Sequence, residues 1–284
     1  MSARPTPQAA GNVAALRVAE RKLLEFRGVD KRFHVNGQWH PAVEGIDLDV
    51  ATGQVVTLVG PSGCGKSTLL NMAAGMFGPS AGRVLYRGEE LHGLNHRVGY
   101  MTQQDHLLPW RTVFANIALP LELRSLPRAE REQRTHELVH LVGLEGFERH
   151  YPAQVSGGMR KRVALARLLA YDPETLLMDE PFGALDAQMR LSLQAELLRI
   201  SRRLGKTVLF VTHDLDEAIA LADRCAVFRG RPGTIVDTIE VDLPAERDLT
   251  AIRFDARFVQ LTQHLWRVMA PDLARAAQGQ ERRP

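Results

Sequence analysis

The chain has 284 residues, 36 of them Lys or Arg and 33 Asp or Glu, for a formal net charge of +3. That length buries a core big enough for one large domain, or for a core carrying an inserted subdomain. The charges are balanced and interspersed, which argues against a nucleic-acid partner, and no window offers the ~18 consecutive apolar residues of a membrane span.

Residues 1–22 are rich in Ala, Pro and small polar residues and are expected to form a disordered tail. They lack the apolar centre of a secretory signal, so a soluble, cytoplasmic chain is expected. Structure should begin over 23–26. A second strand is expected over 45–50, where Ile46, Leu48 and Val50 alternate with Asp47 and Asp49. Residues 34–41 between them read as a long loop.

Thr52 and Gly53 turn the chain into an apolar strand containing Val55, Val56, Leu58 and Val59. Gly60, Pro61, Ser62, Gly63, Cys64, Gly65, Lys66, Ser67 and Thr68 follow, the last three opening a helix. This is the phosphate-binding loop pattern, a Gly, four free positions, Gly-Lys and then Ser or Thr. Glycines let backbone N–H groups curl around phosphate oxygens, and the helix N-terminus adds the positive end of its dipole. Lys66 supplies a point charge to the β- and γ-phosphates, and Ser67 offers a hydroxyl to Mg²⁺. Neither Cys64 nor Cys225 belongs to a disulfide framework. Cys64, inside the loop, is expected to be alkylated with loss of activity and to be shielded by nucleotide.

Short strands are expected near 83–86 and 98–101. Beyond Gln103 the pattern turns helical. Val113, Phe114, Ile117 and Leu121 share a face that should bend or break near Pro120, and a charged helix opens at Ser125 and Pro127. Arg124, Arg128, Arg131 and Arg134 alternate with Glu130 and Glu132, as on a solvated face. His136 and His140 read as part of that face rather than as metal ligands. Strands resume over 175–178, 207–211 and 225–228, with helices over 187–204 and 216–222. Strands alternating with helices around a phosphate loop imply an α/β fold with a parallel sheet.

Two further constellations carry chemistry. The strand over 175–178 ends in Asp179 and Glu180, at the sheet edge where α/β folds bind ligands. Asp179 is placed to hold a Mg²⁺-bound water and Glu180 to polarise an attacking water; the alternative is a solvated turn before Pro181. Ser156, Gly157 and Gly158 open another helix, with Ser156 as N-cap and the free N–H groups forming a second anion site. Two anion sites in one chain either grip one nucleotide or each grip a different one.

The phosphate loop, Gln103, Ser156-Gly157-Gly158, Asp179-Glu180, Gly183-Ala184-Leu185-Asp186 and His213 stand in the order of an ATP-binding cassette (ABC) transporter ATPase. The resemblance covers about residues 23–240. It implies a RecA-like P-loop NTPase core over 23–102 and 166–240, interrupted by an α-helical subdomain over 103–165 that carries the signature segment. A C-terminal extension, 241–284, would hold an amphipathic helix with Phe254, Phe258, Leu261, Leu265 and Trp266, ended by Pro271. The resemblance also implies a head-to-tail dimer of two copies. Each ATP would lie between the phosphate loop of one copy and Ser156, Gly157 and Gly158 of the other. Gln103 would contact Mg²⁺ and the attacking water while tying the helical subdomain to the core, Asp179 would serve the metal site, His213 the γ-phosphate and Asp186 the opposite subunit. Phe33 would stack on adenine, with Trp39 as a rival and core packing as the alternative for Phe33. The chain departs from the family at Thr102, Val155 and Lys161, where an aromatic, a Leu and a Gln are usual.

A narrower resemblance, to the nitrate/sulfonate/taurine branch of importer ATPases, rests on Leu107-Leu108-Pro109-Trp110 and on residues 116–123, 181–187 and 214–218. Arg231-Pro232-Gly233 and the tail agree with it. It implies an ATP-hydrolysing subunit, peripheral to the cytoplasmic face of the cell membrane. Separate transmembrane permease subunits would be its partners, and a periplasmic substrate-binding protein would deliver a small anion. A soluble cassette protein without a permease commonly carries two cassettes or a long coiled coil; this chain has one cassette and no heptad run.

Overall fold

The apolar run after Gly53 becomes a strand buried at every position, and the rest of the chain is layered on its two faces. The structure, a computed structural model, describes residues 22–183 and 185–280. The expected tail over 1–21 and Ala184 of the Gly183–Asp186 motif lie outside those residues, as do 281–284.

Strands β1 (Lys22–Val35) and β2 (Gln38–Ala51) form one long hairpin, so 34–41 is not a loop. Asn36 and Gly37 both take left-handed backbone, with φ of 51° and 80°, as a two-residue turn matched to strand twist requires. Register pairs Phe33 with His40 and His34 with Trp39. Side chains on this arm are largely exposed, which removes the apolar alternation that marks a strand in sequence.

The buried strand β3 (Val55–Val59) leads into α1 (Lys66–Ala73), then β4 (Ala81–Tyr86), β5 (Glu89–Glu90) and β6 (Val98–Met101). Helices α2 (Val113–Leu123), α3 (Arg128–Leu141) and α4 (Gly157–Ala170) follow. The chain then alternates: β7 (Thr175–Asp179), α5 (Ala187–Arg203), β8 (Thr207–Thr212), α6 (Leu215–Leu221), β9 (Arg224–Arg229) and β10 (Thr234–Glu240). It closes with α7 (Ala256–Gln280).

Among the described residues the strands make a four-stranded sheet, β2-β1-β4-β5, and a six-stranded sheet, β10-β9-β3-β8-β7-β6. The second is parallel except at β10. Its residues divide by parity. Val56, Leu58, Leu177, Leu209 and Val211 join the core shared with the antiparallel sheet and α1. Val55, Val59, Leu176, Met178, Val208 and Phe210 join the core on the helical side. Both faces are covered, which is why these strands read as unbroken apolar runs. Because β3, β8 and β7 are parallel neighbours, their C-terminal ends bring Gly60, His213 and Asp179 to one edge.

The sequence allows a bend or a break at Pro120 and predicts a helix end at Pro271. Pro120 lies inside α2 and Pro271 inside α7, and neither ends its helix. An interior proline costs about 3 kcal/mol through one lost hydrogen bond and a clash. In α2 the buried Val113, Ile117, Ala118 and Leu121 outweigh it; in α7 Phe258, Leu261, Leu265 and Met269 hold the helix to the core just before Pro271.

Asn116 ties the loop before α2 to that helix. Its side chain is fully buried, at 0 % exposure. Its Oδ1 accepts from Leu108 N at 2.8 Å, and its Nδ2 lies 3.1, 3.0 and 3.0 Å from the carbonyl oxygens of Leu108, Arg111 and Thr112. Asn116→Leu removes the side-chain partner of Leu108 N and Arg111 O, while Leu108 O and Thr112 O keep their backbone donors. It should lower stability by about 1–3 kcal/mol, read as a drop in the urea midpoint at unchanged slope.

Candidate functional site

Between β3 and α1 the backbone coils at Gly63 and Gly65, whose φ values of +77° and +94° lie in the left-handed region. Space is as restrictive as conformation. A Cβ on Gly60 would sit 2.5 Å from Phe228 O, and one on Gly65 2.3 Å from Val43 Cγ1. Lys66 is only 4 % exposed, and its ammonium lies in the hollow of the loop. It donates to the carbonyl oxygens of Gly60 and Pro61, both at 2.8 Å. Arg231, which sequence reading left without a role, reaches over the loop and donates to Ser62 O at 2.8 Å. It lies 169 positions from Ser62 in the chain, and only the fold brings the two together.

Ser67 Oγ donates to Asp179 Oδ1 at 2.9 Å, joining the start of α1 to the end of β7. Tyr100, from β6, donates to Asp179 Oδ2 at 3.4 Å. Burial pushes the Asp179 carboxyl up and the Glu180 charge adds to it, while Ser67, Tyr100 and Lys66 pull it back. Burial likewise raises the Tyr100 hydroxyl, which stays a donor. A hydroxyl and a half-buried carboxylate side by side are hard oxygen donors of the kind a divalent cation takes, so the residues present fit Mg²⁺.

Glu180 leaves β7 with φ of +46°, a left-handed conformation that costs a non-glycine residue roughly 1–2 kcal/mol. The turn swings its carboxylate toward β8, where His213 Nδ1 lies 3.0 Å from Glu180 Oε2. Gln103 reaches the same place from the end of β6. A Cβ built on Gly183 would be 3.5 Å from Gln103 Nε2 and 4.0 Å from Glu180 Oε2. The structure thus brings Gln103, Glu180 and His213 together around Gly183.

His213 is braced from both flanks by residues the sequence did not single out. Thr212 donates its hydroxyl to the buried carboxylate of Glu217, which also accepts from Gln194 Nε2 at 2.7 Å. Asp214 caps α6 and accepts from Arg190 Nη1 at 3.4 Å. Arg190 Nη2 also donates to Leu185 O at 3.0 Å, beside Asp186, the N-cap of α5.

The second anion site does not share these surroundings. Ser156 Oγ accepts from Met159 N at 3.2 Å and caps α4. The Cβ positions of Gly157 and Gly158 face Arg160, Leu185 and Met189, whereas those of Gly60, Gly63 and Gly65 face Phe228, Arg231, Val43 and Ala42. Phe33 and Trp39 are also separated. The register puts them on opposite faces of the hairpin, Phe33 with its ring 5.4 Å from Phe77 and Trp39 5.0 Å from His34. His136 lies against Phe114, and His140 Nδ1 is 2.5 Å from Glu145.

Residues 43–183 match the family model described as ABC transporter. An uncharacterized ABC transporter ATP-binding protein of Methanocaldococcus jannaschii is 48 % identical over 231 residues, 81 % of this chain and 86 % of that protein. The chain belongs to the ABC transporter ATPase family. The taurine import ATP-binding protein TauB of Pseudomonas fluorescens is 42 % identical to this cassette over 267 residues, 92 % of this chain and 99 % of that protein. Among solved structures, a dimeric ATP-binding cassette in a post-hydrolysis state, bound to ADP and Pi, superposes with a TM-score of 0.69 at 29 % identity, covering 78 % of this chain and all of that one (100 %). The cassette is therefore an ATPase with the P-loop NTPase fold expected from its sequence. Among its described residues no helix is long and apolar enough to cross a membrane.

One expectation is overturned. Cys64 is 1 % exposed, and burial pushes its thiol up, against a smaller opposing pull from Lys66. The thiolate is the reactive form and it is suppressed here. Native cassette at pH 7.5 should resist iodoacetamide at Cys64 with or without ATP and become labelled in urea, read by mass spectrometry of the loop peptide. Rapid native labelling that ATP blocks would restore the original expectation.

Proposed function

We propose that this cassette is the ATP-hydrolysing subunit of an importer for a small anion of the nitrate, sulfonate or taurine kind. The observation that carries the reading is the pairing of a phosphate loop with a water-polarising carboxylate at one sheet edge. The Ser67–Asp179 contact at 2.9 Å and the Glu180–His213 contact at 3.0 Å define it. The similarity to proteins named for taurine import supports the cargo class.

Backbone N–H groups from Gly60 to Thr68 and the start of α1 would hold the phosphates, and Lys66 would turn from the loop carbonyls to the β- and γ-phosphates. Ser67, Gln103 and, through water, Asp179 would hold Mg²⁺, which when bound neutralises charge on the β- and γ-phosphate oxygens. Phe33 would stack on adenine. Glu180 would accept a hydrogen bond, and then the proton, from a water aligned by Gln103 and His213 as that water attacks the γ-phosphate in line with the departing ADP. The site still lacks a cover. Ser156, Gly157 and Gly158 face other neighbours in their own chain, so they would close over the nucleotide of a second copy, with Asp186 at that interface. Dimeric cassette structures of the family support this arrangement.

The helical subdomain would pass closure to transmembrane permease subunits. A groove of about 600 Å³ between β6, α2 and α4, lined by Met101, Leu119, Pro120, Leu123, Leu168 and Tyr171, offers them an apolar seat. A periplasmic binding protein would deliver the anion to the permease, which places the cassette on the cytoplasmic face of the cell membrane.

Glu180→Gln should keep ATP affinity and lose turnover about 10²–10⁴-fold, the usual worth of a general base, while ATP-bound dimers accumulate on gel filtration. Wild-type turnover in that variant would remove Glu180 from the role. In the reconstituted complex, stimulation of hydrolysis by a binding protein loaded in turn with nitrate, taurine or an alkanesulfonate identifies the cargo. Stimulation by none of them would refute the anion class.

A further inference from the structure

Helix α4 has work at both ends of the interface. Its N-terminus carries Ser156 and the two glycines. One and a half turns further on, Lys161 is 4 % exposed, a buried cation on a helix that otherwise buries apolar residues. Its Nζ pairs with Asp105 Oδ1 at 2.7 Å and donates to the carbonyl oxygen of Gln103. Two more cations from α4 hold the same segment. Arg160 Nε lies 3.6 Å from Asp105 Oδ2, and Arg167 donates to the carbonyl oxygens of Asp105 at 2.8 Å and His106 at 2.7 Å. Of the three, only Lys161 reaches the peptide of Gln103 itself, the residue whose amide stands beside Gly183 and Glu180.

A lysine loses more hydration on burial than it regains from a single contact, so its position is held by the carboxylate and the carbonyl together. The backbone at Gln103 is therefore held to α4 by Lys161 as well as to β6, two residues before it.

We propose that Lys161 is a positioning residue for hydrolysis: it fastens Gln103 to α4, so that seating of the Ser156 end on the nucleotide of a second copy sets the Gln103 amide against Glu180 in its own site. Each copy thereby readies its own chemistry in response to the nucleotide its partner holds. The inference rests on the trans arrangement of Ser156 proposed above and adds the residue that transmits it.

The test uses the full chain. Lys161→Met keeps the aliphatic stem and removes the charge and the donor. Its Tm should fall by several degrees with the fold kept, its affinity for a fluorescent ATP analogue should stay within about twofold of wild type, and kcat should fall about 10- to 100-fold, the effect of misplacing a catalytic group by an ångström. Lys161→Arg, which keeps both the charge and the donors, should recover most of that loss. In Glu180→Gln the added Lys161→Met should leave the ATP-driven dimer intact, since Ser156 still seats. Should Lys161→Met fail to fold, the double variant with Asp105→Leu removes both charges and is read in the same way. Wild-type kcat in the folded variant would overturn the proposal. Loss of the dimer in Lys161→Met/Glu180→Gln but not in Glu180→Gln would also overturn it, by placing Lys161 in assembly. A Glu180→Gln chain that stays monomeric with ATP would instead overturn the trans arrangement itself.

Discussion

Ser67 and Asp179 are 112 positions apart in the chain, and their side chains meet at 2.9 Å. No local preference makes that contact. It depends on β8 lying between β3 and β7 with all three parallel, so that one strand delivers the phosphate loop, the next His213 and the third Asp179 and Glu180. The helices and the second sheet cover the two faces of this arrangement and keep water away from its strands. Had β7 run antiparallel, its carboxylates would lie at the opposite edge, some 17 Å from the loop for a five-residue strand.

Much of this was legible because phosphate chemistry leaves few substitutes. Gly63 and Gly65 stand where φ is positive, and Gly60 stands where a Cβ would strike Phe228. Only glycine meets those demands, so the residue type itself is a signal. Asp179 and Glu180 stood out only beside the phosphate loop, since alone two carboxylates ending an apolar strand read equally well as a solvated turn before Pro181. The β1–β2 hairpin escaped because an exposed arm needs no apolar alternation, and its Asn36-Gly37 turn was the one local mark it left. The helices through Pro120 and Pro271 escaped because tertiary packing outweighs a single proline by several buried side chains.

Buried polar groups were the least legible class, and they decide how the site is held. Asn116, Gln194, Glu217 and Lys161 are all nearly or fully enclosed. In sequence each sits on a helix among residues of either kind, and nothing distinguishes it from a solvated neighbour. Only the fold reveals that Glu217 and Gln194 brace Thr212 behind His213, or that Asn116 and the α4 cations fix the segment after Gln103. Cys64 is the converse case. Sequence placed it in a reactive loop, and the fold sealed it beneath the backbone that would meet the phosphates.

The geometry also bears on why half a site suits this chemistry. Glu180 is held in a left-handed turn and already bonded to His213, so its carboxylate is strained and occupied in a single copy. Its remaining orientation comes from Gln103, whose backbone is anchored to α4. Lys161 lies five residues beyond Ser156, about 7 Å along the helix axis at 1.5 Å per residue. Over that distance a hydrogen-bonded helix does not bend to absorb a displacement at its end. Under the proposal, a shift of the Ser156 end toward a partner's nucleotide would be carried along this helix to the Gln103 segment. On the proposed arrangement the segment that would complete one site and the lysine that would align the other are two points on one short helix, so an unpartnered copy would lack both the cover and the alignment.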